Sequence, residues 1–500
     1  IFEPRDIFLD YLETRTREDG SDTGPMIAHL FEVLDTPEDE RQANLDEDLA
    51  RFPYVNGDLF KDPIRTPAFN SEMRERLVEA SRFNWSGISP AIFGSLFQSV
   101  MDKQERRKAG AHYTTEKNIL KVIGPLFLDE LRAEFETLKA RKQNRAKLLR
   151  AFHEKLASLT FLDPACGCGN FLIITYRELR LLEIEVLREI YRAELARMKG
   201  GATELPLQSL LKLDVDQFYG IEFSEFPARI AETAMWMMDH IMNTQASLEF
   251  GAPFLRIPLR KSPNIVHADA LETDWTTVAP SDLSYIIGNP PFVGAKYQSE
   301  EQRAQVRHIA ALGKSGGTLD YVCAWFIKAA TFGAPTAFVS TNSITQGEQV
   351  AQLWPILFER QGFEIAFAHR TFAWGSEARG KAAVHVVVLG LEPRAMARKD
   401  RRLFSYPDIK GDPIETRHAA ISPYLIDAST LSNPHLVVKE TSKPINGLPK
   451  LIIGSKPIDG GHFIFSGKER NTFLAQEPQA APYLRPYIGA REFLNGGDRH

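Results

Sequence analysis

The sequence predicts an α/β fold built on one sheet of seven strands, parallel and joined by right-handed crossovers. Short apolar segments alternate with helical patterns between residues 160 and 390, as in βαβ units. Two of these segments also end in turns suited to ligands, a glycine-rich turn after residue 163 and a double proline after residue 289. Because ligands bind at the carboxyl ends of parallel strands, both turns should lie at one edge of the sheet.

Local patterning predicts the remaining elements. Residues 1–105 show amphipathic helical patterns, and residues 106–395 contain the predicted sheet. Residues 391–500 carry Pro, Gly and aromatic residues in irregular spacing, which predicts a mixed and mostly non-helical region. The strands are expected near residues 160–163, 217–222, 264–268, 284–288, 336–341, 363–368 and 383–389.

The glycine-rich turn favours one cofactor over another. Residues 160–171 read Thr-Phe-Leu-Asp-Pro-Ala-Cys-Gly-Cys-Gly-Asn-Phe, a short strand followed by a Gly-x-Gly turn and a long helical pattern. A dinucleotide fingerprint would need a third small residue where Leu172 stands. Asp163, just before the turn, would repel a pyrophosphate and attract the ammonium of an amino-acid moiety. The turn therefore favours S-adenosylmethionine over NAD.

The tetrad Asn289-Pro290-Pro291-Phe292 predicts a site for a planar amino group. Two successive prolines fix the backbone in an extended turn with free carbonyls. The amide of Asn289 and the Pro290 carbonyl offer two acceptors beside the flat ring of Phe292. Accepting both protons of an exocyclic NH2 would raise the electron density on its nitrogen, which is a poor nucleophile in adenine. The alternative is a simple turn, since Asn-Pro and Pro-Pro are common in loops.

Together these segments resemble the motifs of the DNA amino-methyltransferases. Residues 163–171 are similar to the first motif of that family and Asn-Pro-Pro-Phe to the fourth. Gly-Ala-His-Tyr-Thr-Thr at 110–115 resembles the motif that closes over the methionine end of the cofactor, and its position ahead of the first motif matches the gamma class of adenine-N6 methyltransferases. Segments at 52–60, 88–98, 339–349 and 368–374 further resemble the MmeI-like type IIL restriction-modification enzymes.

The resemblance implies a domain order and a function. It implies a helical spacer at 1–105, a gamma-class methyltransferase domain with the Rossmann-like fold of S-adenosylmethionine-dependent methyltransferases at 106–395, and the start of a target-recognition domain at 396–500. Site-specific methylation of adenine N6 in double-stranded DNA is then expected, in the bacterial cytoplasm. A nuclease domain is expected in cis in the full-length protein. The chain shows no Asp followed by Glu-x-Lys near its first residue, Ile1, so endonuclease activity is not expected of it.

The resemblance also assigns the candidate site residues. Asn289, Pro290, Pro291 and Phe292 would be catalytic, and Phe372 or Trp374 would stack on the other face of a flipped base, with core packing as the alternative for both rings. Glu222 would accept from the ribose hydroxyls of the cofactor and Asp269 from its adenine amino group. Helix capping is the alternative for Asp163 and Glu222. The candidate cofactor contacts are His112, Tyr113, Thr114, Asp163, Ala165, Cys166, Gly167, Asn170, Phe171, Glu222, Phe223, Asp269 and Ala270.

Composition limits the other classes of function. No run of about 18 apolar residues would span a membrane, and the three cysteines have neither disulfide nor zinc spacing. The net charge is −5, yet residues 1–60 alone hold 16 acidic against 5 basic residues. Basic runs at 103–108, 139–150 and 394–402 suit either DNA phosphates or solvated helix faces.

Other readings of the tetrad remain open. A protein-glutamine or RNA amino-methyltransferase would face the same chemistry, although such enzymes are usually more compact. A cytosine-C5 methyltransferase is disfavoured because none of the cysteines follows a proline. A catalytically silent DNA-specificity module would retain the motifs without turnover.

Overall fold

A computed structural model describes the chain in two compact units, Ile1–Val438 and Lys439–His500. The described residues are 6–54, 67–83, 91–92, 114–192, 210–250, 262–313, 318–374, 384–439, 441, 443–444, 446–450, 460–496 and 499–500.

The first unit is built on a nine-stranded sheet, which confirms the predicted α/β class. All seven predicted strands are present within a few residues of their expected positions, and β8 and β9 extend the sheet beyond them. The spatial order is β3-β2-β1-β4-β5-β7-β6-β8-β9. The strands are β1 Phe161–Asp163, β2 Phe218–Glu222, β3 Asn264–His267, β4 Tyr285–Gly288, β5 Thr336–Thr341, β6 Phe363–Trp374, β7 Val384–Pro393, β8 Arg401–Ser405 and β9 Ile414–His418.

The prediction of parallel strands between residues 160 and 390 is wrong at β7. Strands β1 to β4 are parallel to their neighbours, but β7 runs antiparallel to both β5 and β6, and β9 runs antiparallel to β8. Only residues 375–383 separate β6 from β7, fewer than the dozen or so that a parallel crossover needs. Two consecutive strands so joined pair as antiparallel neighbours.

Helices cover both faces of the sheet. Alternate residues of β1 point to opposite faces, so Phe161 joins one apolar cluster and Leu162 the other, both with no solvent exposure. The first cluster contains side chains of α5 to α9, and the second contains those of α10 to α12. The helices of this unit are α1 Ile7–Arg15, α2 Thr23–Asp35, α3 Glu47–Ala50, α4 Ser71–Arg82, α5 Glu116–Ile123, α6 Asp129–Lys139, α7 Arg145–Ala157, α8 Asn170–Ile190, α9 Glu225–Phe250, α10 Glu300–Ala310, α11 Cys323–Phe332 and α12 Glu348–Pro355.

The helices near the N-terminus form small cores of their own. Leu12, Ile27 and Val78, from α1, α2 and α4, pack together. Arg74 Nε donates to Thr16 Oγ1 at 2.7 Å, which ties α4 to the end of α1.

The second unit is small and contains two α-helices among its described residues, α13 Gly467–Gln476 and α14 Ala490–Asn495. Ser466 and Glu469 form a capping box at the start of α13. Phe465 stacks on Phe473 with ring centroids 4.9 Å apart. Within the described parts of both units, no helix is long and apolar enough to cross a membrane.

Candidate active site

The turn between β1 and α8 brings the backbone close to a second helix. Gly167 and Gly169 adopt positive φ angles of 54° and 82°, which favour glycine. A Cβ on Gly169 would lie 3.0 Å from that of Ala231 in α9, so this glycine also allows close packing. A Cβ on Gly167 would meet nothing within 4 Å, so the backbone of Gly167 borders open space.

Asp163, the last residue of β1, is a buried acid with an altered pKa. Its side chain is only 1% exposed, and burial raises its pKa to about 8 although Oδ1 accepts a hydrogen bond from the Ala165 amide. A Cβ on Gly288 would lie 2.5 Å from Asp163 Oδ1. The end of β4, where the tetrad begins, therefore lies directly against this carboxyl group.

Glu222, the last residue of β2, holds the glycine-rich turn. Its Oε2 accepts from the Gly167 amide and its Oε1 from the Ser224 amide, both at 2.9 Å. Burial raises the pKa of Glu222. The ring of the next residue, Phe223, is 71% exposed. A carboxylate and an open aromatic surface thus stand side by side at the strand end.

Asp269 and Ala270 follow β3 and are fixed by residues from α10 and α11. Asp269 Oδ1 accepts from the Leu271 amide and Oδ2 accepts from Gln305 Nε2, both at 2.8 Å. The Ala270 carbonyl accepts from Lys328 Nζ at 2.7 Å. The carboxylate of Asp269 is therefore held in one orientation.

The tetrad contacts the end of the Gly-Ala-His-Tyr-Thr-Thr segment. Asn289 Nδ2 donates to Thr114 Oγ1 at 3.1 Å, and Thr114 is only 4% exposed. His112 and Tyr113 lie outside the described residues. The contact brings two motifs together at the carboxyl end of β4.

The last residue of the tetrad packs against the apolar clusters, and the residue after it is hydrogen-bonded to the segment before α11. Pro290 is buried and Pro291 is half-buried, while Phe292 is partly buried against both apolar clusters. The Val293 amide donates to Asp320 Oδ1 at 3.1 Å, and the Val293 carbonyl accepts from the Tyr321 amide at 3.0 Å. The turn after the double proline is thereby fixed to the segment that leads into α11.

The other predicted contacts around the glycine-rich turn are largely enclosed. Cys166 and Phe171 are buried, and Ala165 is partly buried against the second cluster. Asn170 is 9% exposed, and its Oδ1 has no hydrogen-bond partner in the part of the chain that the structure describes. An enclosed acceptor of this kind suits a ligand that brings its own donor.

Phe372 and Trp374 lie in the apolar core. They are 1% and 5% exposed, and Phe372 stacks on Tyr406 with ring centroids 4.9 Å apart. Lys121 Nζ lies 4.2 Å from the centroid of the Phe372 ring. This arrangement favours the packing alternative for both rings.

The arginines of the basic run 394–402 form ion pairs with acidic residues elsewhere in the first unit. Arg394 and Arg401 both pair with Glu364 at 2.9 Å, and Arg402 pairs with Asp129 at 2.6 Å. These arginines neutralise local carboxylates, which favours a structural role over a phosphate track. The run 103–108 lies outside the described residues.

Comparison with known families identifies the chain. Residues 138–405 match the family described as MmeI, DNA-methyltransferase domain, over more than half of the chain. The chain belongs to the MmeI DNA-methyltransferase family. Residues 432–500 match the MmeI target recognition domain and residues 1–60 the MmeI helicase spacer domain. The resemblance drawn from the motifs is thus confirmed.

Two relatives match nearly the whole chain. DNA methyltransferase A of Bacillus subtilis (strain 168) is 38% identical over 505 residues, which cover 99% of this chain and 54% of the relative. The solved structure of the type IIL restriction-modification enzyme MmeI in complex with DNA is 49% identical, with a TM-score of 0.89, and the match covers 100% of this chain and 65% of that one. The chain therefore spans about half to two thirds of the length of these relatives.

Three contributors to the site of this MmeI-family chain were missed by sequence reasoning. Gly288 leaves the space that the Asp163 carboxyl occupies, while Gln305 and Lys328 fix the segment after β3. A glycine inside an apolar strand often marks a close approach of backbone, so Gly288 carried a readable signal. Gln305 and Lys328 lie within helical patterns, and nothing in the local sequence indicates that they reach the site.

Proposed function

We propose that the chain is the methyltransferase portion of a site-specific DNA adenine-N6 methyltransferase that uses S-adenosylmethionine. The observation that carries this proposal is the approach of the tetrad to the acid at the end of β1, where a Cβ on Gly288 would be 2.5 Å from Asp163 Oδ1. A group held by Asp163 would thus lie beside a base held by Asn289. Membership in the MmeI family supports DNA as the substrate.

The residues around the turn fit the cofactor. Asp163 would hold its ammonium group, Glu222 its ribose hydroxyls, and Asp269 its adenine amino group. Three features support this fit: the open space beside Gly167, the enclosed Asn170 Oδ1, and the exposed ring of Phe223. When bound, the cofactor supplies an electrophilic methyl group on sulfonium sulfur.

The tetrad would orient the target base. Asn289 Oδ1 and the Pro290 carbonyl would accept the two amino protons of adenine, and the Phe292 ring would support the base at about 1–3 kcal/mol. The base must leave the duplex to reach this site. Orientation of the amino nitrogen supplies most of the rate in this arrangement, because well-oriented reactants avoid the entropic cost of encounter.

The domain boundaries, the DNA partner and the nuclease domain are also part of this proposal. Residues 1–105 would be a helical spacer, 106–395 the methyltransferase domain and 396–500 the start of the target-recognition domain. Double-stranded DNA would be the partner, and in the full-length protein a nuclease domain would lie in cis. The family match of residues 432–500 to a target recognition domain supports the DNA contact.

The decisive experiment identifies the modified base directly. A random pool of duplex DNA is incubated with the full-length protein and labelled S-adenosylmethionine, and the modified positions are sequenced. We expect N6-methyladenine in a single sequence context. No label in DNA, or label in glutamine of the protein alone, would contradict the proposal.

Two substitutions separate chemistry from cofactor binding. Asn289→Ala should abolish DNA methylation while calorimetry still detects cofactor binding, because the amide acts on the base. Glu222→Ala should weaken cofactor binding, because the cofactor would lose the acceptor of its ribose hydroxyls. Full activity of Asn289→Ala, or an unchanged affinity in Glu222→Ala, would exclude the respective role.

A further inference from the structure

The Thr114 hydroxyl lies against the amide of the tetrad. Asn289 Nδ2 donates to Thr114 Oγ1 at 3.1 Å across a sequence separation of 175 residues. Thr114 precedes α5 and is only 4% exposed, so bulk water does not compete freely for this hydrogen bond. The contact joins the start of a helix to the end of β4.

Thr114 is held in place by the helix that follows it. The Thr115 carbonyl accepts from the amides of Asn118 and Ile119, both at 3.0 Å, and Ile119 is fully buried in the first apolar cluster. Glu116, in the first turn, forms hydrogen bonds with two nitrogens of Arg177 in α8, at 2.8 and 2.6 Å. The hydroxyl is therefore presented from a fixed backbone.

The chemistry of the tetrad requires one orientation of the Asn289 amide. A carboxamide has an acceptor at one end and a donor at the other, and a half-turn of the group exchanges them. The amino group of adenine is a donor, so only Oδ1 can draw its protons. An amide turned the other way would bring two donors together.

We infer that Thr114 is a positioning residue that fixes the Asn289 side chain with Oδ1 turned toward the target base. This inference rests on the proposed function of the tetrad. It gives Thr114 a different role from the cofactor contact expected from the motif, because the hydroxyl engages the amide that acts on the base. Thr114 acts through Asn289 and touches neither reacting atom.

Paired substitutions test this role in the full-length protein. Thr114→Val keeps the shape of the side chain and removes the hydroxyl, which leaves the Asn289 amide without this partner. Loss of a buried hydrogen bond costs about 1–3 kcal/mol. If that cost falls on the reactive orientation of Asn289, kcat for DNA methylation should fall by about 5- to 100-fold. The Kd values for S-adenosylmethionine, by calorimetry, and for duplex DNA, by anisotropy, should stay unchanged. Thr114→Ser retains the hydroxyl and should stay close to the wild-type rate.

A matched control separates this effect from general destabilisation. Thr175 in α8 is fully buried, and its hydroxyl has no hydrogen-bond partner in the described chain, so Thr175→Val should leave kcat unchanged. A raised cofactor Kd with normal kcat in Thr114→Val would overturn the inference, as would equal losses in the Ser and Val variants. Failure of the proposed function is distinguishable, because then Asn289→Ala itself would remain active.

Discussion

Asp163 is the titrating residue that links the site to pH. Burial raises its pKa from 3.8 to about 8 in the folded chain. Between pH 3.8 and about 8 the Asp163 carboxyl therefore keeps its proton in the folded chain and loses it in the unfolded chain. The stabilisation from Asp163 is complete at acid pH and is lost as the pH rises through about 8.

Cofactor binding should therefore release a proton from Asp163. An ammonium group beside this carboxyl favours its ionised form, so affinity for S-adenosylmethionine should decrease by up to about tenfold per unit as the pH falls below the pKa. Calorimetry in two buffers of different ionisation enthalpy measures the proton release. Glu222, whose pKa is also raised, contributes in the same direction. The difference between wild type and Asp163→Asn isolates Asp163, and identical pH profiles would contradict the assignment.

Gly288 should be intolerant of a side chain. In Gly288→Ala the new Cβ would lie 2.5 Å from Asp163 Oδ1, so the carboxyl group or β4 must move. We expect weaker cofactor binding and a loss of about 1–3 kcal/mol of stability from overpacking, measured by calorimetry and urea unfolding. Gly294→Ala is the control, because its Cβ would meet only Tyr297 at 3.9 Å. Equal effects of both changes would exclude the contact with Asp163 as the cause.

At the scale of elements, a buried ion pair joins the helices behind the site. Arg180 and Glu183 of α8 have fully buried side chains and pair at 3.0 Å. Arg180 also donates to Asn243 Oδ1 in α9 at 2.6 Å and to the Leu213 carbonyl at 3.1 Å. The helices that follow β1 and β2 are thereby connected by one guanidinium group.

Removal of Arg180 should destabilise this helix pair strongly. Arg180→Leu removes the guanidinium partner of the buried Glu183 carboxylate, and removal of one partner of a buried pair costs about 3–5 kcal/mol in comparable sites. Arg188→Leu on the same helix is the control, because its pair with Glu249 is 47% and 37% exposed and such pairs contribute at most about 1 kcal/mol. Urea unfolding of both variants measures the difference. Similar losses in the two would show that burial of the pair is unimportant.

Periodicity predicted where the strands lie but not how the last ones pair. The apolar segments at 284–288 and 336–341 became β4 and β5 almost residue for residue. The direction of β7 depends on long-range pairing with β5, which local patterning does not encode. β8 begins Arg401-Arg402, a poor strand signal, and these charges are neutralised by Glu364 and Asp129 from distant segments.

The site was predictable in its strand-end residues and not in their partners. Asp163 and Glu222 end apolar strands and Asn289 follows one, so all three are expected at the same edge of the sheet. The hydrogen bond between Thr114 and Asn289 spans 175 residues, and Gln305 reaches Asp269 from another helix. Such contacts depend on the packed fold and leave no local signature.

For the whole molecule, the extent of the sheet predicts where the chain can be shortened. The first compact unit reaches Val438 and includes β8 and β9. A chain ending at Val438 should fold and bind S-adenosylmethionine with unchanged affinity. A chain ending at residue 395 lacks β8 and exposes the edge of the 12-residue strand β6, which favours aggregation. Size-exclusion chromatography and calorimetry compare the two truncated chains. A chain ending at residue 395 that stays soluble and binds the cofactor would contradict this expectation.

The alkylation rates of the three cysteines can measure how often the parts of the fold around them open. Cys166, Cys168 and Cys323 are all free and buried, and burial raises the pKa of each, to about 12 for Cys168. Thiolates are the reactive species, so the native chain should resist alkylation. Two of the three lie in the glycine-rich turn, and their labelling rate measures how often that turn opens. The third lies in the second apolar cluster, where labelling requires the core itself to separate.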